Sequence, residues 1–267
     1  MFGRGIRLFN LMGFEVRLHS SWLILAVLVV SSLASGFFPY RFPGYTHADY
    51  WLMAAGGVVG LFFSIVIHEF AHSVVARHYG IPMNGITLFI FGGVAEMGDE
   101  PPSAKSEFLM AIAGPLTSFL IAACSFGVGS AITAAGSPGL AAVFSYLAWI
   151  NTALGLFNLV PAFPLDGGRV LRAAIWAKTH DLVRSTRIAS WIGSAFGLLL
   201  IALGAWNVLR GNIIGGIWYV FIGMFVRNAS SMSYRQVLNR RDRQLRGEGK
   251  VIDVQPVYEE DEEHHRV

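Results

Sequence analysis

Gly60-Leu61-Phe62-Phe63-Ser64-Ile65-Val66-Ile67-His68-Glu69-Phe70-Ala71-His72 runs from an uncharged apolar stretch into two histidines and a glutamate. On an α-helix, residues four apart sit one turn up and about 40° round, so His68 and His72 face one side. An apolar helix of roughly 20 residues is what a bilayer asks of a spanning segment. Ionisable side chains inside such a helix are costly and mark a working site more often than a structural one. The stretch therefore reads as a membrane helix with a chemical face. The plainer reading is a polar patch that joins neighbouring helices.

The composition around it agrees with a membrane protein. Of the 267 residues, 54% are hydrophobic and 14% charged, against about 25% charged in soluble domains, and the mean hydropathy is +0.53. No Asp, Glu, Lys or Arg occurs from Phe108 to Leu165. Apolar segments are expected at about Ser21–Phe38, Trp51–Tyr79, Phe108–Ala134, Leu140–Val160, Val183–Leu203 and, shortest, Ile213–Val226. The expected fold is all-α and multi-pass, with about six transmembrane helices and a small membrane-associated β-hairpin or sheet. The first segment reads as a retained anchor rather than a cleaved signal peptide. A formal charge of +3 without a basic stripe excludes a nucleic-acid partner. The lone Cys124 offers neither a disulfide framework nor a thiolate metal site.

With an inside N-terminus, the outside loops 39–50, 135–139 and 204–212 hold only Arg41 and Arg210 of the 20 Lys and Arg. The positive-inside rule then puts both termini in the cytoplasm. Asn84–Gly98 is rich in β-formers around Gly92-Gly93 and reads as a hairpin turning at those glycines. The prolines and paired glycines of Pro161–Gly168 break the preceding helix. Residues 1–228 are expected to form one membrane domain with its core at about 51–172, and 229–267 a polar, largely disordered cytosolic tail containing at most a short amphipathic helix.

Two histidines at this spacing suit tetrahedral zinc, one ion per chain, if a third ligand joins them. Glu69 can then take a proton from water activated at the metal and pass it to a leaving amine. His78 stands ten residues after His68, yet Val75 occupies the place where a glycine would turn the chain back. On a continuing helix His78 lies about 15 Å along the axis from His68. Asp166 is the better third ligand: it is the only acidic residue between Glu107 and Asp181, at the end of a broken membrane helix. Its alternative role is the N-cap of the next helix.

H-E-x-x-H in an apolar helix, together with N-L-V-P-A-F-P-L-D-G-G at Asn158–Gly168 and A-G-P-L-T-S at Ala113–Ser118, closely resembles the site-2 protease family of intramembrane metalloproteases. The resemblance covers about Val58 to Arg172. It implies that His68, His72 and Asp166 bind zinc, that Glu69 is the general acid/base, and that Asn158 holds the substrate backbone or the oxyanion. Gly92 and Gly93, with their flanking strands, resemble the family's membrane-associated sheet, where substrate would bind. The G-P-x-x-N form often seen in the family's third core helix ends here in Ser118. No stretch reads as a PDZ domain, and the tail is too short for paired CBS domains.

The function expected is hydrolysis of peptide bonds in or near the transmembrane segments of membrane-tethered proteins, in the plasma membrane, with the site opening to the cytosol. An anti-sigma factor or a signal-peptide remnant is the kind of substrate the resemblance implies. A metal transporter would need polar residues on several helices, yet between Phe108 and Leu165 only Asn151 and Asn158 stand out. An inactive scaffold would lack a ligand or the base, and all four residues are present.

Overall fold

The computed structural model describes residues 5–89, 92–97 and 100–246. Six of its helices are long and apolar enough to cross a membrane. The first span, Ser20–Arg41, comprises α1 (Ser20–Ser32), a π-helical turn at Leu33–Phe37 and α2 (Phe38–Arg41). The others are α3 (His47–His78), α4 (Ala104–Ala134), α5 (Pro138–Asn158), α7 (Leu182–Leu209) and α8 (Ile213–Leu245), with the shorter α6 (Asp166–Thr179) between α5 and α7. Sequence sets their starts: Thr46 and Asp49 form a capping box before α3, Ser103 and Ser106 one before α4, and Pro138 sits in the first turn of α5. His180, at φ 54°, ends α6 in a left-handed turn. The chain is therefore a multi-pass, mainly helical membrane protein.

The sheet holds more than the expected hairpin. Four strands stand in the order β1 (Ile6–Leu11), β2 (Phe14–Leu18), β3 (Met83–Phe89) and β4 (Gly92–Met97). β2 and β3 are parallel, with Val16 opposite Ile86 and Leu18 opposite Leu88. Such pairing needs a long crossover, and α1 to α3 provide it. The N-terminal strands read in sequence as a polar leader because Arg7, Glu15 and Arg17 interrupt the apolar residues. In the sheet, Glu15 and Arg17 bond to each other at 3.0 Å while Phe14 and Val16 turn into the core. Met12 and Gly13, both at positive φ, make the turn.

Two further expectations change. The hairpin does not turn at Gly92-Gly93: Gly92 pairs with Phe89 and Gly93 with Leu88, so both glycines belong to β4, and the connecting residues 90–91 lie outside the described residues. The last helix does not stop near Val226. No Gly or Pro interrupts 224–246, so the helix continues past the apolar composition to Leu245. It is also held by packing: Val226, Ser230 and Val237 are buried. α7 and α8 cross closely, for a Cβ at Gly197 would come 2.7 Å from the Gly223 carbonyl oxygen and one at Gly204 2.7 Å from that of Gly216.

Candidate active site

α3 brings His68, Glu69 and His72 into the interior, where both histidines are buried. Asp166 opens α6, but its side chain does not cap the helix; the N-cap position is Leu165, with no side-chain capping bond. The Asp166 carboxylate turns instead to α3. Its Oδ2 lies 3.2 Å from His68 Nε2 and 3.2 Å from His72 Nε2, and the two Nε2 atoms are 3.2 Å apart. The loop that delivers Asp166 folds tightly back on the helix it starts. A Cβ at Gly168 would come 2.7 Å from the Ala162 carbonyl carbon, and Gly167 is tighter still against Leu159.

These residues fit a zinc ion. Ligand atoms at 2.0–2.1 Å around a tetrahedral zinc are about 3.3–3.4 Å apart, close to the triangle of sides 3.2 Å formed here. Two imidazole nitrogens and a carboxylate oxygen are donors zinc accepts, with the fourth position left for water or substrate. Space has been kept for the ion: a Cβ on Gly114 of α4 would stand 2.6 Å from His68 Nε2 and closer still to His72 Nε2. Among the described residues this is the one group of three such side chains with ligand atoms within 4.8 Å of one another. Asp166 lies outside the six spans. Its burial alone would raise its pKa, but the two imidazoles outweigh this and hold the carboxyl below the usual carboxylate range.

His68, Glu69, His72, Asn158 and Asp166 all line one cavity of about 600 Å³, and Gly93 lines it with them. β4 packs on α3 so closely that a Cβ at Gly93 would stand 2.9 Å from Glu69 Oε1. Gly92 stands beyond the cavity at the end of the hairpin. His78 is exposed at the far end of α3, away from the ligand group.

Three features were not read from the sequence. One wall of the cavity comes from α8, through Phe225, Ala229, Met232, Ser233 and Gln236. α8 is fastened there by the Ser230 hydroxyl, which donates to the Phe163 carbonyl at 2.7 Å. A buried ion cluster closes the site below: Arg172 of α6 donates through Nε to Glu107 of α4 at 2.6 Å and through Nη2 to Glu100 at 3.1 Å. The second ring nitrogens of the histidines meet α4, His72 Nδ1 at 2.6 Å from the Met110 carbonyl and His68 Nδ1 at 2.8 Å from Ser118 Oγ. The one advance signal of these was Ser118 itself, which stood out as a departure from the family's asparagine.

The sequence matches the model of Peptidase family M50 over residues 56–137 and 128–201, which include every residue of the ligand group. It is similar to the putative zinc metalloprotease Rip3 of Mycobacterium tuberculosis, 44% identical over 224 residues that cover 83% of this chain and 56% of the relative. It is also similar to the putative zinc metalloprotease sll0528 of Synechocystis, 36% identical over 253 residues, 94% of this chain and 66% of the relative. The chain thus spans between about half and two thirds of the length of these relatives. Among solved structures, the site-2 protease from Methanocaldococcus jannaschii superposes with a TM-score of 0.54 at 31% identity, over 86% of this chain and 95% of that one. Helices, sheet and ligand group together agree with these matches, and the chain belongs to Peptidase family M50, the site-2 proteases.

Proposed function

We propose that the chain is an intramembrane zinc metalloendopeptidase that cleaves membrane-tethered proteins in or near their transmembrane segments, as in regulated intramembrane proteolysis. The observation that carries the reading is the His68–His72–Asp166 triangle beside Glu69 in one cavity between membrane helices. A zinc ion held there supplies Lewis acidity, polarising the scissile carbonyl and acidifying water. Glu69 takes the proton from the attacking water and returns it to the leaving amine. Asn158, at the end of α5 on the same cavity, offers its amide to the substrate carbonyl as charge develops there.

A helical substrate keeps its carbonyls hydrogen-bonded and must unwind to be cut. β4 ends the sheet, and Gly93 sets it against Glu69, so an extended substrate segment adds to β4 as a further strand and lies across the catalytic carboxylate. His72 and His68 lie six and ten residues from the end of α3, about 9 and 15 Å along its axis. With both termini in the cytoplasm, that end faces the cytosol, and water reaches the site from that side of the plasma membrane. Anti-sigma factors and signal-peptide remnants are the substrate classes to try, with the lipid bilayer as the surrounding partner.

The first experiment is zinc per chain in detergent-purified protein. The wild type is expected to hold close to one zinc, with His72→Ala and Asp166→Ala losing it. Glu69→Gln should keep zinc and lose cleavage of a membrane-tethered substrate. A wild type that stays metal-free after zinc is supplied overturns the reading.

A further inference from the structure

His68 and His72 turn their second ring nitrogens onto one stripe of α4. The Met110 carbonyl meets His72, the Ser118 hydroxyl meets His68, and Gly114 between them leaves room for the ligand triangle. Positions 110, 114 and 118 follow at intervals of four, so one face of a single helix presents an acceptor, a space and a hydroxyl. The two contacts differ in kind. A carbonyl only accepts, so His72 Nδ1 must carry the proton and His72 Nε2 keeps its lone pair for the triangle. A hydroxyl both donates and accepts, so the contact alone leaves the His68 tautomer undecided. For His68 Nε2 to serve as a ligand, Nδ1–H has to donate and Ser118 Oγ has to accept.

We infer that Ser118 is a positioning residue of the metal centre. Its oxygen accepts the His68 Nδ1 proton, and this fixes the ring orientation and the tautomer that leave Nε2 free for the ion. Ser118 is 0% exposed and His68 3%, so the contact is shielded from bulk water. Outer partners of this kind hold metal-binding imidazoles in place, and losing one weakens metal affinity by about 10–100-fold.

The inference rests on the metal-centre reading, and its test separates the two. Full-length wild type, Ser118→Ala and Ser118→Thr are purified in detergent, stripped of metal and titrated with Zn2+ against a chromophoric chelator. The visible absorption of the Co2+-loaded proteins is recorded in parallel, since it reports the ligand field without any substrate. Ser118→Ala is expected to bind Zn2+ about 10–100-fold more weakly than wild type and to change the Co2+ band. Ser118→Thr, which keeps the hydroxyl, should recover most of both. Equal Zn2+ affinity and an unchanged Co2+ band in Ser118→Ala overturn the inference while the metal centre stands. Equal weakness in the threonine and alanine variants also overturns it, because packing rather than the hydroxyl would then be at stake. A wild type that binds neither ion takes down the metal-centre reading itself.

Discussion

A methyl group on Gly93 would stand 2.9 Å from Glu69 Cδ and Oε1, and one on Gly114 2.6 Å from His68 Nε2. Both contacts are shorter than carbon, nitrogen and oxygen tolerate, so these two glycines keep the room in which the catalytic and ligand side chains act. They protect different things: Gly93 the base, Gly114 the ligand triangle. Gly93→Ala should accordingly leave zinc near one per chain and lower kcat by about 100-fold, as a misplacement of order 1 Å does. Zinc content and single-substrate kinetics on the same preparation check this, and an unchanged kcat would show that β4 yields to the methyl. The H-E-x-x-H motif was legible because helical spacing alone puts its two histidines on one face, with Glu69 next to the first. The Asp166 side chain, 98 residues from His68, was legible as the only acidic residue between Glu107 and Asp181, at the end of an uncharged stretch. The roles of Gly114 and Ser118 were not legible, though Ser118 stood out as a departure, because an empty volume and a ring-nitrogen contact exist only between helices.

At the scale of elements, the site depends on α6 being held against α4. Arg172 does this with its Glu107 and Glu100 bonds and with its guanidinium 5.5 Å from the Phe163 ring centre, in the loop that leads to Asp166. Glu107 is fully buried and Arg172 is 5% exposed. Removing one member leaves an uncompensated buried charge, which costs about 3–5 kcal/mol. Arg172→Ala should therefore lower the thermal midpoint in detergent sharply. Glu107→Gln should lower it less, since Arg172 keeps Glu100. Differential scanning of the two variants decides the order, and equal midpoints would remove the cluster from the list of supports. The N-terminal hairpin is a second support. Phe14 packs edge-on against Phe70 at 5.8 Å, and Arg77 lies 4.6 Å from the Phe14 ring centre. Composition concealed that hairpin, because strands of five and six residues with charges on one face resemble a polar leader.

For the whole molecule, the question is which side the cavity faces. The arginine and lysine bias assigns the α7–α8 loop to the outside and the end of α8 to the cytoplasm. In a Cys124→Ser background, Asn212→Cys should react with a membrane-impermeant maleimide in intact cells. Arg246→Cys should react only after permeabilisation. The reverse pattern would turn the cavity outward and overturn the cytosolic route for water.

The sequence by itself determined that the chain crosses a membrane, roughly where, and that two imidazoles share a helix face with a carboxylate beside the first of them. Those properties are local: hydropathy over some 20 residues and a period of 3.6 residues are written in neighbouring positions. The tertiary structure decided the rest. It paired β2 with β3 across two intervening membrane helices, and carried α8 beyond its apolar stretch to wall the cavity. It brought the Asp166 carboxylate to 3.2 Å from both histidines, and stood Met110, Gly114 and Ser118 behind them. Each of these depends on packing between segments far apart in sequence, and no local pattern encodes which side chain will face an empty volume on another helix.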